Sequence, residues 1–196
     1  EYSWQCGRED LKENSMKVFD SYLKNGFTQA GFFKESVNFD RGYEDPVHSI
    51  RRQSEGVYAM LHFLAYEREN GRRHPEWEQK MKNMLDILLQ LQHEDGSFPR
   101  KFHDDFTIVD NSGGSTPSAT LPLIMGYKYF KDKRYLASAK RTADYLEKVL
   151  ISKADYFSST LDANCEDKEA SLYAATATYY LSLITKGDEH RHYADL

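Results

Sequence analysis

Two kinds of apolar segment alternate along this chain, and that alternation limits it to a two-layer helical architecture. Segments 55–66 (EGVYAMLHFLAY), 118–130 (SATLPLIMGYKYF) and 169–184 (EASLYAATATYYLSLI) are apolar on nearly every helical face. A helix of that kind belongs in an interior. Ala59, Ala119, Gly126, Ala174, Ala175 and Ala177 keep these segments slim enough for close packing. Amphipathic segments lie between them. In 76–88 (EWEQKMKNMLDIL), Trp77, Met81, Met84, Leu85 and Leu88 form one stripe that Leu91 continues, with Lys80, Lys82, Asn83 and Asp86 mostly off it. That spacing predicts a surface helix with one buried face.

The amphipathic type repeats. Segment 134–146 (RYLASAKRTADYL) matches 76–88 at an offset of 58 residues, pairing Trp77 with Tyr135, Lys82 with Lys140, Asp86 with Asp144 and Leu88 with Leu146. Segment 16–23 (MKVFDSYL) again sets an Asp just before an apolar pair. Punctuation agrees. Glu69-Asn70-Gly71 and Lys186-Gly187-Asp188 read as helix stops, and Thr116-Pro117 as a cap followed by proline at the first helical position. Pro122 falls in the early turns of that helix, where it shifts the start or kinks the axis. The expected inner helices are 51–69, 117–131 and 166–186; the outer ones are 8–25, 75–93 and 133–150, with another beginning after Glu189. Short turns join inner to outer helices. Long loops, 26–48, 95–115 and 151–165, join outer to inner ones.

Inner and outer helices in alternation build either a solenoid or a closed toroid. Solenoid units run about 33–47 residues. A 58-residue unit exceeds that, and the excess sits in the long loops. The pattern resembles the six-hairpin (α/α)-toroid, glycosidase-like superfamily. The residues that carry the resemblance are 53–67 (QSEGVYAMLHFLAYE), 91–98 (LQHEDGSF), 113–146 and 166–188 (EDKEASLYAATATYYLSLITKGD). It covers most of residues 8–196 as architecture, without a motif diagnostic of one family. It implies an all-α fold, an incomplete (α/α)6 barrel of about three hairpins. The expectation is therefore one domain over 1–196 that is a fragment of a longer toroid, with the remaining hairpins in the same polypeptide.

Composition narrows the function. Aromatics make up 14% of the chain, which argues against disorder. The formal net charge of −5 is spread along the chain, with no basic patch for nucleic acid. No stretch approaches the roughly 20 apolar residues of a membrane span. The two thiols, Cys6 and Cys165, form neither a metal framework nor a disulfide scaffold, and a single bridge between them stays open.

The long loops and the inner-helix N-termini share one face of such a ring. Free N–H groups there favour anions and hydrogen-bond acceptors. In the superfamily that the chain resembles, substrate binds on this face. Loop 95–115 holds Asp95, Asp104, Asp105 and Asp110. Glycoside hydrolysis needs two carboxyl groups flanking the scissile bond. We expect Asp104, Asp105 and Glu55 as catalytic candidates. Phe98 and Phe102, with Phe106, suit stacking on sugar rings, and Arg100 and Lys101 suit uronate or sulfate. Arg51, Gln53, Ser115, Glu166, Asp167 and Glu169 complete the expected substrate contacts at the helix mouths. Each has a plainer reading: Asp95-Gly96 as a turn, Asp104-Asp105 as a solvated tip, Ser54 as a cap with Glu55 set against the helix dipole. His103-Asp104-Asp105 lacks the spaced second ligand of a metal site, so neither metal nor cofactor is expected.

The resemblance therefore implies a carbohydrate-active domain of the glycoside hydrolase kind, acting on an oligosaccharide or polysaccharide. The helical domain of a polysaccharide lyase and a non-catalytic glycan-binding or scaffolding domain are the alternatives. A sugar epimerase or a terpenoid-cyclase-like toroid is the runner-up among enzymes. LQHEDGSF faintly resembles terpenoid cyclase repeats, but their aspartate-rich motif is absent. Bacterial glycan processing, periplasmic or secreted, is also implied by resemblance.

Overall fold

A computed structural model describes residues 2–38, 40, 43–44, 46–112, 115–153 and 168–185. A single turn, α1 (Tyr2–Gln5), precedes six longer helices. These are α2 (Glu9–Asn25), α3 (Ile50–Glu69), α4 (Pro75–Leu91), α5 (Thr116–Phe130), α6 (Lys133–Tyr145) and α7 (Lys168–Thr185). A π-helical turn, Leu146–Leu150, and a 3-10 turn, Ile151–Lys153, extend α6. The inner layer is α3, α5 and α7, with α5 packed between the other two; α4 and α6 back α3 and α5 from outside. The expected stop after Lys186 and the expected helix after Glu189 lie outside the described residues.

Burial explains the two segment types. Every residue of α5 from Thr116 to Gly126 is buried, so no face of it is free to be polar. Leu61, Leu64, Ala119, Leu123, Ala174, Ala177 and Leu181, the expected core of the inner layer, are all buried. The repeat is also real in packing: Trp77 and Tyr135 are both buried, as are Leu88 and Leu146. Gly126 lets α5 approach α4, since a Cβ there would lie 2.6 Å from Leu85 Cδ1. Outer helix α2 contributes through partly buried Phe19, stacked on Phe63 at 4.3 Å and edge-on to Trp77 at 6.4 Å.

Two of the segments read as loops carry short strands instead. β1 (Val37–Asn38) and β2 (Tyr43–Glu44) pair antiparallel. β3 (Val47–Ser49), β4 (Lys101–His103) and β5 (Ile108–Asp110) form an antiparallel sheet in that order, with His48 opposite Phe102. Strands of two or three residues are too short to display the period-2 alternation that reveals a strand. Helix starts also need correction. α3 begins at Ile50 after Ser49, so Ser54 lies within the helix, fully buried, rather than capping it. α5 begins at Thr116, and the Thr116 hydroxyl accepts the Phe98 N–H at 3.0 Å instead of capping.

Side chains rather than regular pairing fix the connections. The Gln53 amide, fully buried, accepts the Phe33 N–H at 2.9 Å and donates to the Phe33 carbonyl at 2.8 Å. This straps segment 26–36 across α3. Gly56 makes room for the strap, because a Cβ there would meet the Phe33 ring at 2.8 Å. Gln92 has the same role in the next hairpin, donating to the Ser138 carbonyl at 3.0 Å and the Thr142 hydroxyl at 2.9 Å of α6.

Candidate active site

Helices α3 and α7 flank α5, and their first two turns carry polar side chains that meet in front of it. Arg51 Nη1 donates to Glu169 Oε2 at 2.6 Å. Arg51 Nε lies 3.5 Å from Glu55 Oε1, and the Tyr173 hydroxyl donates to that same oxygen at 2.5 Å. Deeper along the same helices Tyr58 stands close to Tyr180. His62 stands edge-on to Tyr58 at 4.5 Å. Arg51, Glu55, Tyr58 and His62 follow the i, i+4, i+7, i+11 spacing of one helical stripe. Glu169, Tyr173 and Tyr180 form the facing stripe on α7. The two stripes make a polar, aromatic wall across the inner layer.

The electrostatics follow from partial burial. The Tyr173 phenol is held well above its usual range, first by burial and then by its bond to Glu55, so it stays a donor at neutral pH. Burial, with Tyr180 adding to it, pushes Tyr58 up to about 12. The cluster thus offers guanidinium and phenol donors beside two carboxylate acceptors, a set that matches paired hydroxyl groups.

The expected residues divide into four groups. Arg51, Glu55 and Glu169 come together as described. Asp104 and Asp105 lie at the tip of the β4–β5 hairpin. Asp105 is exposed and accepts the Thr107 N–H at 2.9 Å; that bond holds its carboxyl below the usual range. Asp104 Oδ1 lies 2.5 Å from Nε2 of the fully buried His48, which stacks on Phe32 at 4.6 Å. Gln53, Phe98, Phe102 and Ser115 are in the interior with no exposed surface. Phe102 packs against Phe32 and His48 there, and Gln53 is spent on the strap. Glu166 and Asp167 lie outside the described residues, as does Cys165; Cys6 is exposed. Arg100, read as an anion contact, is buried, with Nη1 3.9 Å from Asp110. Among the described residues no group of three or more His, Cys, Asp or Glu is placed to hold a metal ion. No described helix is long and apolar enough to cross a membrane.

Tyr173 is not among the residues that the sequence singles out, although it stands one turn after Glu169 on the same stripe. The His48–Asp104 contact joins positions far apart in sequence, and no local pattern marks it.

Comparison with known proteins places this arrangement in a fold. No family model matches the chain. The structure superposes on D-mannose isomerase with a TM-score of 0.74 and 14% identity, over 97% of this chain and 54% of that one. Cellobiose 2-epimerase from Spirochaeta thermophila DSM 6192 gives a TM-score of 0.71 and 15% identity, over 96% and 53% of the two chains. The cellobiose 2-epimerase from Bacillus thermoamylovorans B4167 gives 0.68 and 16%, over 92% and 48%. These proteins are (α/α)6 toroids of the glycosidase-like superfamily, and the architecture expected from sequence is the one observed. The chain spans about half the length of each. At such identities the likeness establishes the fold, and chemistry has to be argued from the residues.

Proposed function

We propose that this chain is a carbohydrate-processing domain that binds sugar hydroxyls at the Arg51–Glu55–Glu169–Tyr173 cluster. The observation that carries the reading is that cluster itself: four hydrogen-bonding groups from two helices, converging at the loop-bearing end of the inner layer. Carboxylate and guanidinium side by side accept from one hydroxyl and donate to the next, which is how a vicinal diol is held. Tyr58 and Tyr180 supply flat apolar surface next to it. The structural likeness to a mannose isomerase and two cellobiose epimerases supports a sugar ligand. It favours isomerisation or epimerisation of a sugar over hydrolysis of a glycosidic bond. In such a reaction a proton leaves the carbon next to the sugar carbonyl and returns to the same carbon or its neighbour. Arg51 and the Tyr173 hydroxyl are the donors placed to stabilise the oxygen that gains charge meanwhile. Asp104 and Asp105 are not part of this proposal, because Asp104 is spent on His48 and Asp105 on the Thr107 N–H.

The test combines binding and turnover. Titration calorimetry with mannose, glucose and cellobiose should detect binding that Arg51→Ala and Glu55→Gln each weaken at least tenfold. In D2O, proton NMR should show deuterium entering the sugar next to its carbonyl. Release of new reducing ends instead would mean hydrolysis. Unchanged binding in both variants would remove the cluster from the site.

A further inference from the structure

Taking the Arg51–Glu55–Glu169–Tyr173 cluster as the sugar site, we propose that Glu55 and Glu169 select an amino sugar and hold its ammonium group between them. Charge, an unused carboxylate oxygen and the aromatic surface beside the cluster all point to a cationic ligand.

The charges of the cluster do not balance. Arg51 serves two carboxylates, Glu169 at 2.6 Å and Glu55 at 3.5 Å. Arg52, the next residue of α3, turns instead to the strap, where its Nη1 lies 3.6 Å from Glu35. Lys168 precedes Glu169 on α7, about 100° round the helix from it. The Tyr173 phenol reports the local field. Burial raises it first, Glu55 and Glu169 raise it further, and Arg51 opposes them. Two carboxylates thus act there against one guanidinium.

Glu55 also has a free oxygen. Its Oε1 accepts from the Tyr173 hydroxyl and faces Arg51 Nε, whereas Oε2 accepts no hydrogen bond from a described residue. The Glu55 side chain is 40% exposed and that of Glu169 54%, so a ligand reaches both.

A second cation completes this arrangement. A hydroxyl pairs equally well with a guanidinium or a carboxylate, so a neutral sugar makes no use of the surplus charge. An ammonium only donates, with three N–H groups, and so fits the two carboxylates alone. Set against Glu55 Oε2 and Glu169, it makes the signs alternate: guanidinium, carboxylate, ammonium, carboxylate. The oxygen on the neighbouring sugar carbon then falls to Arg51 and the Tyr173 hydroxyl, as in a 2-amino aldose. Tyr58 stands one turn beyond Glu55 and Tyr180 two turns beyond Tyr173. Phenol ring faces attract cations and add to the preference. A uronate or sulfated sugar, which Arg100 and Lys101 suit by sequence, meets the opposite conditions. Arg100 is buried, and the surplus carboxylate repels an anion.

Titration calorimetry with glucosamine, glucose and N-acetylglucosamine tests the preference. The last carries the same nitrogen without its charge. At about pH 6, where the amine is protonated, glucosamine should bind about fivefold more tightly than glucose, the size of one partly exposed ion pair. N-acetylglucosamine should gain no such advantage. Glu55→Gln and Glu169→Gln should each bring the glucosamine-to-glucose ratio to within about twofold. The ratio cancels any weakening common to both sugars, so a general loss of structure does not imitate this result. Raising the pH to about 9, above the roughly 8 at which such an amine loses its proton, should also remove the preference. Equal binding of glucosamine and glucose overturns the proposal and leaves the sugar site standing. So does N-acetylglucosamine that binds as tightly as glucosamine, or a ratio that survives both substitutions. Failure of all three sugars to bind removes the sugar site, and this proposal with it.

Discussion

Replacing Gly96 with alanine tests how the second hairpin is locked to the third. Gly96 has φ of +92°, in the region that L side chains avoid. A Cβ built there would lie 2.2 Å from the Arg141 carbonyl oxygen and 2.6 Å from its carbon, both backbone atoms of α6. The strained backbone costs about 1–2 kcal/mol. Parting the turn from α6 costs about 1–3 kcal/mol more, as other overpacked sites do. Moving the turn also disturbs Gln92, whose amide donates to the Gly96 carbonyl at 3.2 Å as well as to α6. We expect a total loss of about 2–5 kcal/mol, read by urea denaturation at neutral pH. Gly71 provides the control. Its φ is +75°, but a Cβ there has open space within 4 Å. Gly71→Ala should therefore cost only the backbone share, about 1–2 kcal/mol. If Gly96→Ala is no more destabilising than Gly71→Ala, the close approach to α6 is not what requires glycine.

Three further outcomes follow from the structure. Gln53→Leu keeps the shape but leaves the buried N–H and carbonyl of Phe33 unpaired, so urea denaturation should show a loss of about 2–4 kcal/mol; a loss below half a kcal/mol would mean that the strap is not held there. Leu64→Ala, at a fully packed site in α3, should cost about 2–5 kcal/mol by the same assay. Glu67 is held below the usual carboxylate range by the Arg72 guanidinium, against the opposing effect of burial and with help from His74. Its stabilisation is present above the unfolded value of about 4.3 and is lost as pH falls through the folded value. Melting temperatures from pH 7 down to pH 3 should fall less steeply for Glu67→Gln than for the parent, and parallel profiles would contradict the assignment.

The helices were legible because their signals are long and redundant. The all-round apolar run at 118–130 could only be interior, and α5 is the helix with neighbours on both sides. The stripe from Trp77 to Leu91 fixed the buried face of α4. The strands were not legible, since each spans two or three residues and β3 has its partner more than fifty positions away. The candidate site was only partly legible, for a geometric reason. Arg51, Glu55 and Glu169 sit on helix starts whose positions the repeat determines. Asp104, Phe98 and Phe102 sit in a segment whose path is set by distant partners. Acidic and aromatic composition there looks the same whether a residue faces substrate or packs on Phe32. Gln53 shows the limit sharply: a polar residue at a helix mouth reads as a ligand contact until its amide is seen closing on the backbone of Phe33.

The pairing of β3 with β4 also bears on the order in which the chain assembles. Helices α3 and α4, and likewise α5 and α6, are joined through short turns, so each hairpin forms from neighbours in sequence. Strand residues 47–49 must instead find residues 101–103, more than fifty positions downstream. Closing a loop of that length costs about 3.5 kcal/mol of chain entropy before any contact compensates it. Hairpins already docked side by side shorten that search, so we expect the β3–β4 pairing to join the helical scaffold late, whereas β4 and β5 pair locally. The mouth of the inner layer, where Arg51 follows directly from β3, is then finished after the core beneath it.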